Sequence, residues 1–266
     1  MRCHRGLGAQ GRCYSPSGAG WVMLGLEALA ALLGLHERRC PVCLAPFTPQ
    51  PCATTVADCL FCPQCSPSFA PLPQAHCSAC ALPLPLGTPA GTLCGRCARS
   101  LPPWAGLRSY GLYEGALRSL LLRFKFAGEV HLAPILAALL LECLTCLPAA
   151  DALVPIPQHP AHLRQRGYNQ AHELALALAA HTALPCETRA LQRVQPVPSQ
   201  TTLSGQQRHS APRASFACHS AVQGKKLMLV DDICTTGGTL FHAAHCLLHA
   251  GAQAVYCLTV ARTAQH

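Results

Sequence analysis

Between Cys40 and Cys97 the chain repeats one small unit four times: CPVC (Cys40, Cys43), CPQC (Cys62, Cys65), CSAC (Cys77, Cys80) and CGRC (Cys94, Cys97). Each unit presents two thiolates from one tight turn, and two units complete a tetrahedral zinc site. Few branched aliphatics and many prolines lie between Cys40 and Trp104. Such a stretch has little apolar surface to bury, so bound metal would supply folding free energy on the order of 10 kcal/mol per structural site. The spacing predicts one or two structural Zn²⁺ ions. Four thiolates leave no open coordination position, which argues against a catalytic metal. Pairing in chain order gives Cys40/Cys43/Cys62/Cys65 and Cys77/Cys80/Cys94/Cys97, with loops of 18 residues (44–61) and 13 residues (81–93) between units. An interleaved order meets the same spacing. Cys59 forms a further C-x-x-C with Cys62, but Cys62/Cys65 shares the C-P-x-C form of the first unit.

Nineteen cysteines in an exported chain would suggest disulfides. The one early apolar run, WVMLGLEALAALLGL (Trp21–Leu35), carries Glu27 and falls short of the roughly 20 apolar residues of a membrane span. No small-residue cleavage site follows it. Leu24, Ala28, Ala31, Leu32 and Leu35 instead fit the stripe of an amphipathic helix. That helix lies in an otherwise poorly ordered extension over residues 1–39, where Met23 is a second candidate start. With no span and no export signal, a cytoplasmic location is expected, and clustered cysteines there hold metal. Cys143 and Cys146, in LAALLLECLTCLPAA, read as small apolar residues of a helix.

SLPPWAG (Ser100–Gly106) breaks regular structure with two prolines and separates a Cys-rich module, 40–104, from a second domain, 105–266. In that domain strands are expected at 106–113, 152–157, 226–232 and 254–262, and helices at 114–128, 131–144, 169–182 and 239–251. The alternation predicts an α/β fold, a parallel sheet with helices on both faces. Ligands of such sheets dock beyond the carboxyl ends of the strands.

One strand end has unusual chemistry. VDDICTTGG (Val230–Gly238) follows the apolar run LMLV and places two of the chain's 11 acidic residues, Asp231 and Asp232, against a Thr/Gly turn that opens a helix. Successive N–H groups, with the hydroxyls of Thr235, Thr236 and Thr239, can cradle a phosphate, and Gly237 and Gly238 permit close approach. Two carboxylates repel a bare phosphate, so the ligand must also offer hydroxyls. A sugar phosphate with a vicinal diol fits, with Mg²⁺ nearby. Neither GxxxxGK[ST] nor a strand-borne GxGxxG is present. The formal charge of +9 suits a phosphorylated substrate or a polyanion, and with 50% apolar and 12% charged residues the chain is not disordered throughout.

LMLVDDICTTGGTL resembles the phosphoribosyl pyrophosphate (PRPP) motif of type I phosphoribosyltransferases. The resemblance implies that Asp231 and Asp232 contact ribose hydroxyls, and that Thr235, Thr236, Gly237, Gly238 and Thr239 hold the 5′-phosphate. Taken with the Cys-x-x-Cys units, LRFKFAG, LVPIPQHPAHLRQRGYNQA and QTTLSGQQRHSAPRASF, the chain is similar from Cys40 to Arg262 to the ComF/GntX family. These are double-zinc-ribbon, type I phosphoribosyltransferase-like proteins. Three residues past Arg208 the family usually has Asn; here Ala211 stands, a departure that bears on catalysis.

The remaining candidates follow from the same motifs. VPIP ends a strand where related enzymes place their pyrophosphate loop. Arg164 and Arg166 flank the next helix and suit a pyrophosphate or a nucleic-acid phosphate. Asn169 and Gln170 open a helix, with capping the plain role for Asn169 and ligand contact the assignment for Gln170. Lys125, in RFKFAG, either snorkels or reaches the site. Gln200 and Arg208 fall in a polar stretch resembling the hood of such folds. His242, His245 and His249 share a helix face and read as surface residues.

Three functions are consistent with this. The chain is a PRPP-binding phosphoribosyltransferase that uses Mg²⁺. Or it is a non-catalytic single-stranded-DNA handling protein of natural transformation, as the family resemblance implies, although only 5% of residues are aromatic. Or it is an interaction module whose zinc ribbons dock a partner protein; single-stranded DNA and DNA-processing proteins are the partners that the family resemblance implies.

Overall fold

The computed structural model of the chain describes residues 37–49, 55–144, 146–158, 160–194, 216–218 and 222–264. The Trp21–Leu35 run, Met23, Gln200, Arg208 and Ala211 lie outside the described residues.

A four-stranded parallel sheet forms the centre, in the order β3 (Gly106–Leu112), β8 (Ala254–Arg262), β7 (Lys226–Cys234), β4 (Ala152–Pro155). Before it come the short pair β1 (Arg38–Arg39) and β2 (Pro46–Phe47), then α1 (Val56–Leu60) and α2 (Gly95–Arg99). Helices α3 (Gly115–Phe126) and α4 (Ala133–Leu144) link β3 to β4. Helices α5 (Pro160–Arg166) and α6 (Gln170–Thr182) follow β4, and an antiparallel pair, β5 (Leu191–Arg193) and β6 (Phe216–Cys218), precedes β7. Helix α7 (Gly238–His249) joins β7 to β8. The strands and helices expected downstream of residue 105 all form; α5 and the β5–β6 pair are additions that the short, polar segments gave no periodicity to reveal.

Both sheet faces are buried, which is why the strands read as unbroken apolar runs. Met228 and Val230 of β7 face one core with Leu121, Phe124, Leu136, Leu140 and Leu174. Leu227 and Leu229 face the other with Leu240, Ala244 and Leu247 of α7. The four Cys-x-x-Cys units divide between these cores. Cys40 and Cys62 pack with Phe61 and Phe69 on the α3/α4/α6 face, and Cys77, Cys80, Cys94, Cys97 and Trp104 on the α7 face. Tyr110 donates to the Phe69 carbonyl at 2.8 Å, and Arg123 to the Pro41 carbonyl. The Cys-rich segment thus lies on both sides of one edge of the α/β core.

Two connections fix where a crevice opens at the end of the sheet. From β4 the chain crosses by α6 on one face, and its return pairs in parallel through Cys186 with Leu153, on the outer side of β4. From β7 it crosses by α7 on the opposite face to β8, on the other side. The direction of winding therefore reverses between β4 and β7, the topological switch point where crevices open beyond the strand ends.

Candidate functional site

Strand β7 outlasts β4. The two pair only as far as Pro155 with Val230, whereas β7 continues beside β8 through Cys234 with Arg262. The strand was expected to stop at Asp232; ladder bonds to β8 carry it two residues further. Beyond Val230 one edge of β7 is open toward the crevice, and Asp231 and Asp232 sit there.

Asp232 is buried, 6% exposed. The Lys125 ammonium lies 3.0 Å from its Oδ2, so Lys125, at the end of α3, reaches the site rather than snorkelling away. Gln170, 1% exposed, explains part of its placement: its amide donates to the Lys125 carbonyl at 3.4 Å and its Oε1 accepts from Gln158. Asn169 caps α6 by accepting from the Ala171 N–H at 3.1 Å, and donates to the Ile156 carbonyl at 2.9 Å. Three chain segments, the β4 exit, the α3 end and the α6 start, are thereby tied around one acid pair. Burial, followed by the neighbouring Asp232 carboxylate, pushes Asp231 up to about 7, against the pull of Lys125 and Arg193. Two neighbouring carboxyls that share one close ammonium suit a partner that donates protons or carries cationic charge, such as diol hydroxyls or Mg²⁺.

The Thr/Gly turn follows. Gly237 occupies the left-handed region (φ 80°) and caps α7, with no side-chain acceptor for the first helical amides beyond Thr236 Oγ1, which takes the Gly238 N–H at 3.3 Å. Thr235, Thr236, Gly238 and Thr239 are partly exposed around this N-terminus. The two other sequence-derived cations are placed differently. Arg164 is exposed on α5, and the Arg166 guanidinium lies 5.1 Å from the centre of the exposed Phe126 ring. Neither makes a described contact with the acid pair.

Three arginines were missed. Arg193, on β5, lies over the Phe216 ring at 5.4 Å and near enough to Asp231 to draw its titration down. Arg96 and Arg262 contact the turn from behind. Only Arg262 left a trace in the sequence, as a cation ending the apolar strand AVYCLTVAR. His245 and His249 are exposed and pack together along α7, as expected of a surface row, whereas His242 departs from it, half-buried in the lining of a cavity beside Gly237.

The cysteines gather in chain order, not interleaved. Within Cys40/Cys43/Cys62/Cys65, and within Cys77/Cys80/Cys94/Cys97, all Sγ atoms lie within 4.8 Å of one another. Cys43–Cys62 and Cys80–Cys94 are 3.6 and 3.8 Å apart, close to the ~3.8 Å edge of a tetrahedral zinc–thiolate site. Although burial opposes it, backbone donors from the partner turn (Cys62 and Cys94) and from their own turns (Cys43, Val42; Cys80, Ala79) bring Cys40 and Cys77 each down to about 7. The Cys94 N–H donates to Cys77 Sγ at 3.2 Å. Both groups could hold zinc.

Residues 165–266 match the phosphoribosyl transferase domain family. The DNA utilization protein YhgH of Salmonella typhi is 33% identical over 186 residues, covering 68% of this chain and 82% of that protein. Competence protein F of Haemophilus influenzae is 29% identical, covering 64% and 78%. Competence protein ComFC of Bacillus subtilis is 30% identical, covering 54% and 58%. Among solved structures, the allosteric regulatory enzyme of purine biosynthesis aligns at TM-score 0.35 and 19% identity, over 52% of this chain and 30% of that one. Among the described residues no helix is long and apolar enough to cross a membrane. The paired four-cysteine groups, the parallel sheet and the YhgH likeness together place the chain in the ComF family, whose domain of the phosphoribosyltransferase kind it carries.

Proposed function

We propose that this protein binds PRPP or a related sugar phosphate at the switch point between β4 and β7. Asp231 and Asp232 accept the ribose hydroxyl protons, and Thr235–Thr239 hold the 5′-phosphate through backbone N–H groups at the start of α7. The observation that carries this reading is the Lys125–Asp232 ion pair, 3.0 Å at the carboxyl end of β7. It puts a fixed cation and a partly uncompensated acid pair beside an anion-accepting turn. In a transfer reaction the C1–oxygen bond to pyrophosphate would break, with its electron pair leaving on pyrophosphate, while an acceptor nucleophile bonds to C1. Mg²⁺ would neutralise charge on the leaving group, and Lys125 and Arg193 supply protein cations at the same rim. Calorimetric titration of Mg²⁺-PRPP tests the site: Asp232→Asn is expected to weaken binding roughly 10–100-fold, the worth of a buried hydrogen bond to a charged group. Equal affinities of the variant and the parent protein would end this reading.

A second reading is single-stranded DNA handling without catalysis. It is favoured by the relatives' names, DNA utilization and competence proteins, and by the Arg166–Phe126 platform beside exposed Arg164. An exposed ring under a guanidinium stacks a base irrespective of its identity. Oligonucleotide binding measured by fluorescence anisotropy should weaken steeply with salt; absence of binding at low salt counts against it. A cytoplasmic location and DNA-processing partner proteins belong to this reading.

A further inference from the structure

We propose that the second four-cysteine site anchors the sugar-phosphate turn, with Arg96 and Arg262 as the positioning residues, so that metal held there sets the turn's affinity for a sugar phosphate. The affinity half of this inference rests on the sugar-phosphate reading; the anchoring half does not.

Arg96 lies on α2, between ligands Cys94 and Cys97, so two metal-bound thiolates would fix its helix. Its Nη1 donates to the Thr236 carbonyl at 2.7 Å. Arg262, the last residue of β8, is fully buried. Its Nε donates to the carbonyl of ligand Cys80 at 3.0 Å, and its Nη1 to the Cys234 carbonyl at 3.0 Å and to the Thr235 carbonyl. Trp104 completes the contact: Nε1 donates to the Ala79 carbonyl at 2.7 Å, and its ring lies 3.4 Å from where a Cβ on Gly237 would stand.

The consequence follows from peptide geometry. In a trans peptide the C=O and the next N–H point in opposite directions. Arginines that draw the carbonyls of Cys234, Thr235 and Thr236 toward the cysteine module therefore turn the amides of Thr235, Thr236 and Gly237 away from it. Three successive N–H groups so turned make an anion-binding concavity. Module and turn share one apolar core through Trp104, Cys234 and Leu240, but a cavity of about 270 Å³ lined by Arg96, Trp104, Thr236, Gly237, Phe241 and His242 interrupts that packing beside the turn, and there the Arg96 bridge makes the connection. Zn²⁺ bound by the four thiolates would fix the shape of both knuckles, and with it the Cys80 carbonyl and the helix that carries Arg96; loss of the metal would release both. The first four-cysteine group is tied instead to α3 and β3, through Pro41 and Phe69.

The test uses the full-length zinc-loaded protein. Arg96→Gln is expected to keep two zinc ions per chain by plasma mass spectrometry. It should raise hydrogen exchange across 230–241 about tenfold without ligand, and weaken ribose 5-phosphate binding about tenfold by calorimetry. Arg96→Lys should restore part of both. Arg99→Gln, which removes an exposed charge from the same short helix, should change neither. Cys97→Ser, which disables the second site, should loosen 230–241 at least as far, and adding Arg96→Gln to it should have little further effect. Unchanged exchange in Arg96→Gln, or effects of the two substitutions that simply add, would overturn the anchor. If exchange responds as expected while the parent protein binds no ribose 5-phosphate, the anchor stands and the sugar-phosphate reading fails.

Discussion

Replacing Lys125 with methionine removes the cation beside Asp232 and keeps most of the side-chain volume. Nζ and Oδ2 are 3.0 Å apart, with side-chain exposures of 23% and 8%. At an effective dielectric of about 20, that separation corresponds to an attraction of about 5 kcal/mol. Desolvation of the two ions offsets much of it, so the pair itself adds little net stability. Breaking it is another matter: the carboxylate left behind is buried and uncompensated, at a cost of about 3 kcal/mol near pH 8. The loss depends on pH in a definite direction. Lys125 holds Asp231 down against burial and Asp232, which push it from 3.8 up to about 7. Without Lys125 that carboxyl keeps its proton to still higher pH. A carboxyl titrating higher in the folded than in the unfolded state adds stability below its unfolded value, and that contribution is lost as pH rises through the folded value. The deficit of Lys125→Met is therefore expected at about 1 kcal/mol near pH 5, growing to about 3 kcal/mol near pH 8. In thermal unfolding the pH 8 loss corresponds to a Tm decrease of about 6–10 °C. Lys125→Met/Asp232→Asn should recover most of it, because neither charge remains. A deficit equal at pH 5 and pH 8, or a double variant destabilised by the sum of the single effects, would refute an ion pair at this site.

Three further outcomes are expected. Freshly purified protein should carry two zinc ions per chain. A strong chelator should unfold the 40–104 region and shift Trp104 emission to the red, since that ring is 7% exposed and bonded to Ala79; native emission in metal-free protein would contradict a structural role. Gly237→Ala forces a side chain into the left-handed region, at φ 80° and against Trp104. It should lower stability by about 1–2 kcal/mol and loosen the turn; unfolding identical to the parent protein would show that the backbone there is unstrained.

Local signals specify only part of this structure. The β7 run LMLV (Leu227–Val230) is apolar at every second residue and at those between, because one set meets α6 and the other α7. The choice that spacing left open, chain-order or interleaved cysteine units, was settled by the fold, which seats one four-cysteine group on each face of the sheet. Lys125 shows the same limit. Its neighbours are apolar whether it snorkels or pairs, and only the approach of the α3 end to the β7 rim, with Gln170 on its carbonyl, distinguishes the two. Arg193 sits in a polar stretch whose composition says nothing of the Phe216 ring it covers.

From its sequence alone the chain could be assigned its α/β alternation, its eight metal-competent thiols and the acid pair set against a Thr/Gly turn. Each of these is written in short-range spacing, which backbone geometry and tetrahedral coordination convert directly into structure. Tertiary structure alone decided which side chains stand behind that turn. Arg96 reaches Thr236 across 140 residues, and Arg262 reaches Cys80 across 182. Contacts at such separations leave no periodic trace in a sequence, and arise only when a guanidinium, buried as in Arg262 or half-buried as in Arg96, must find carbonyl partners as the chain packs.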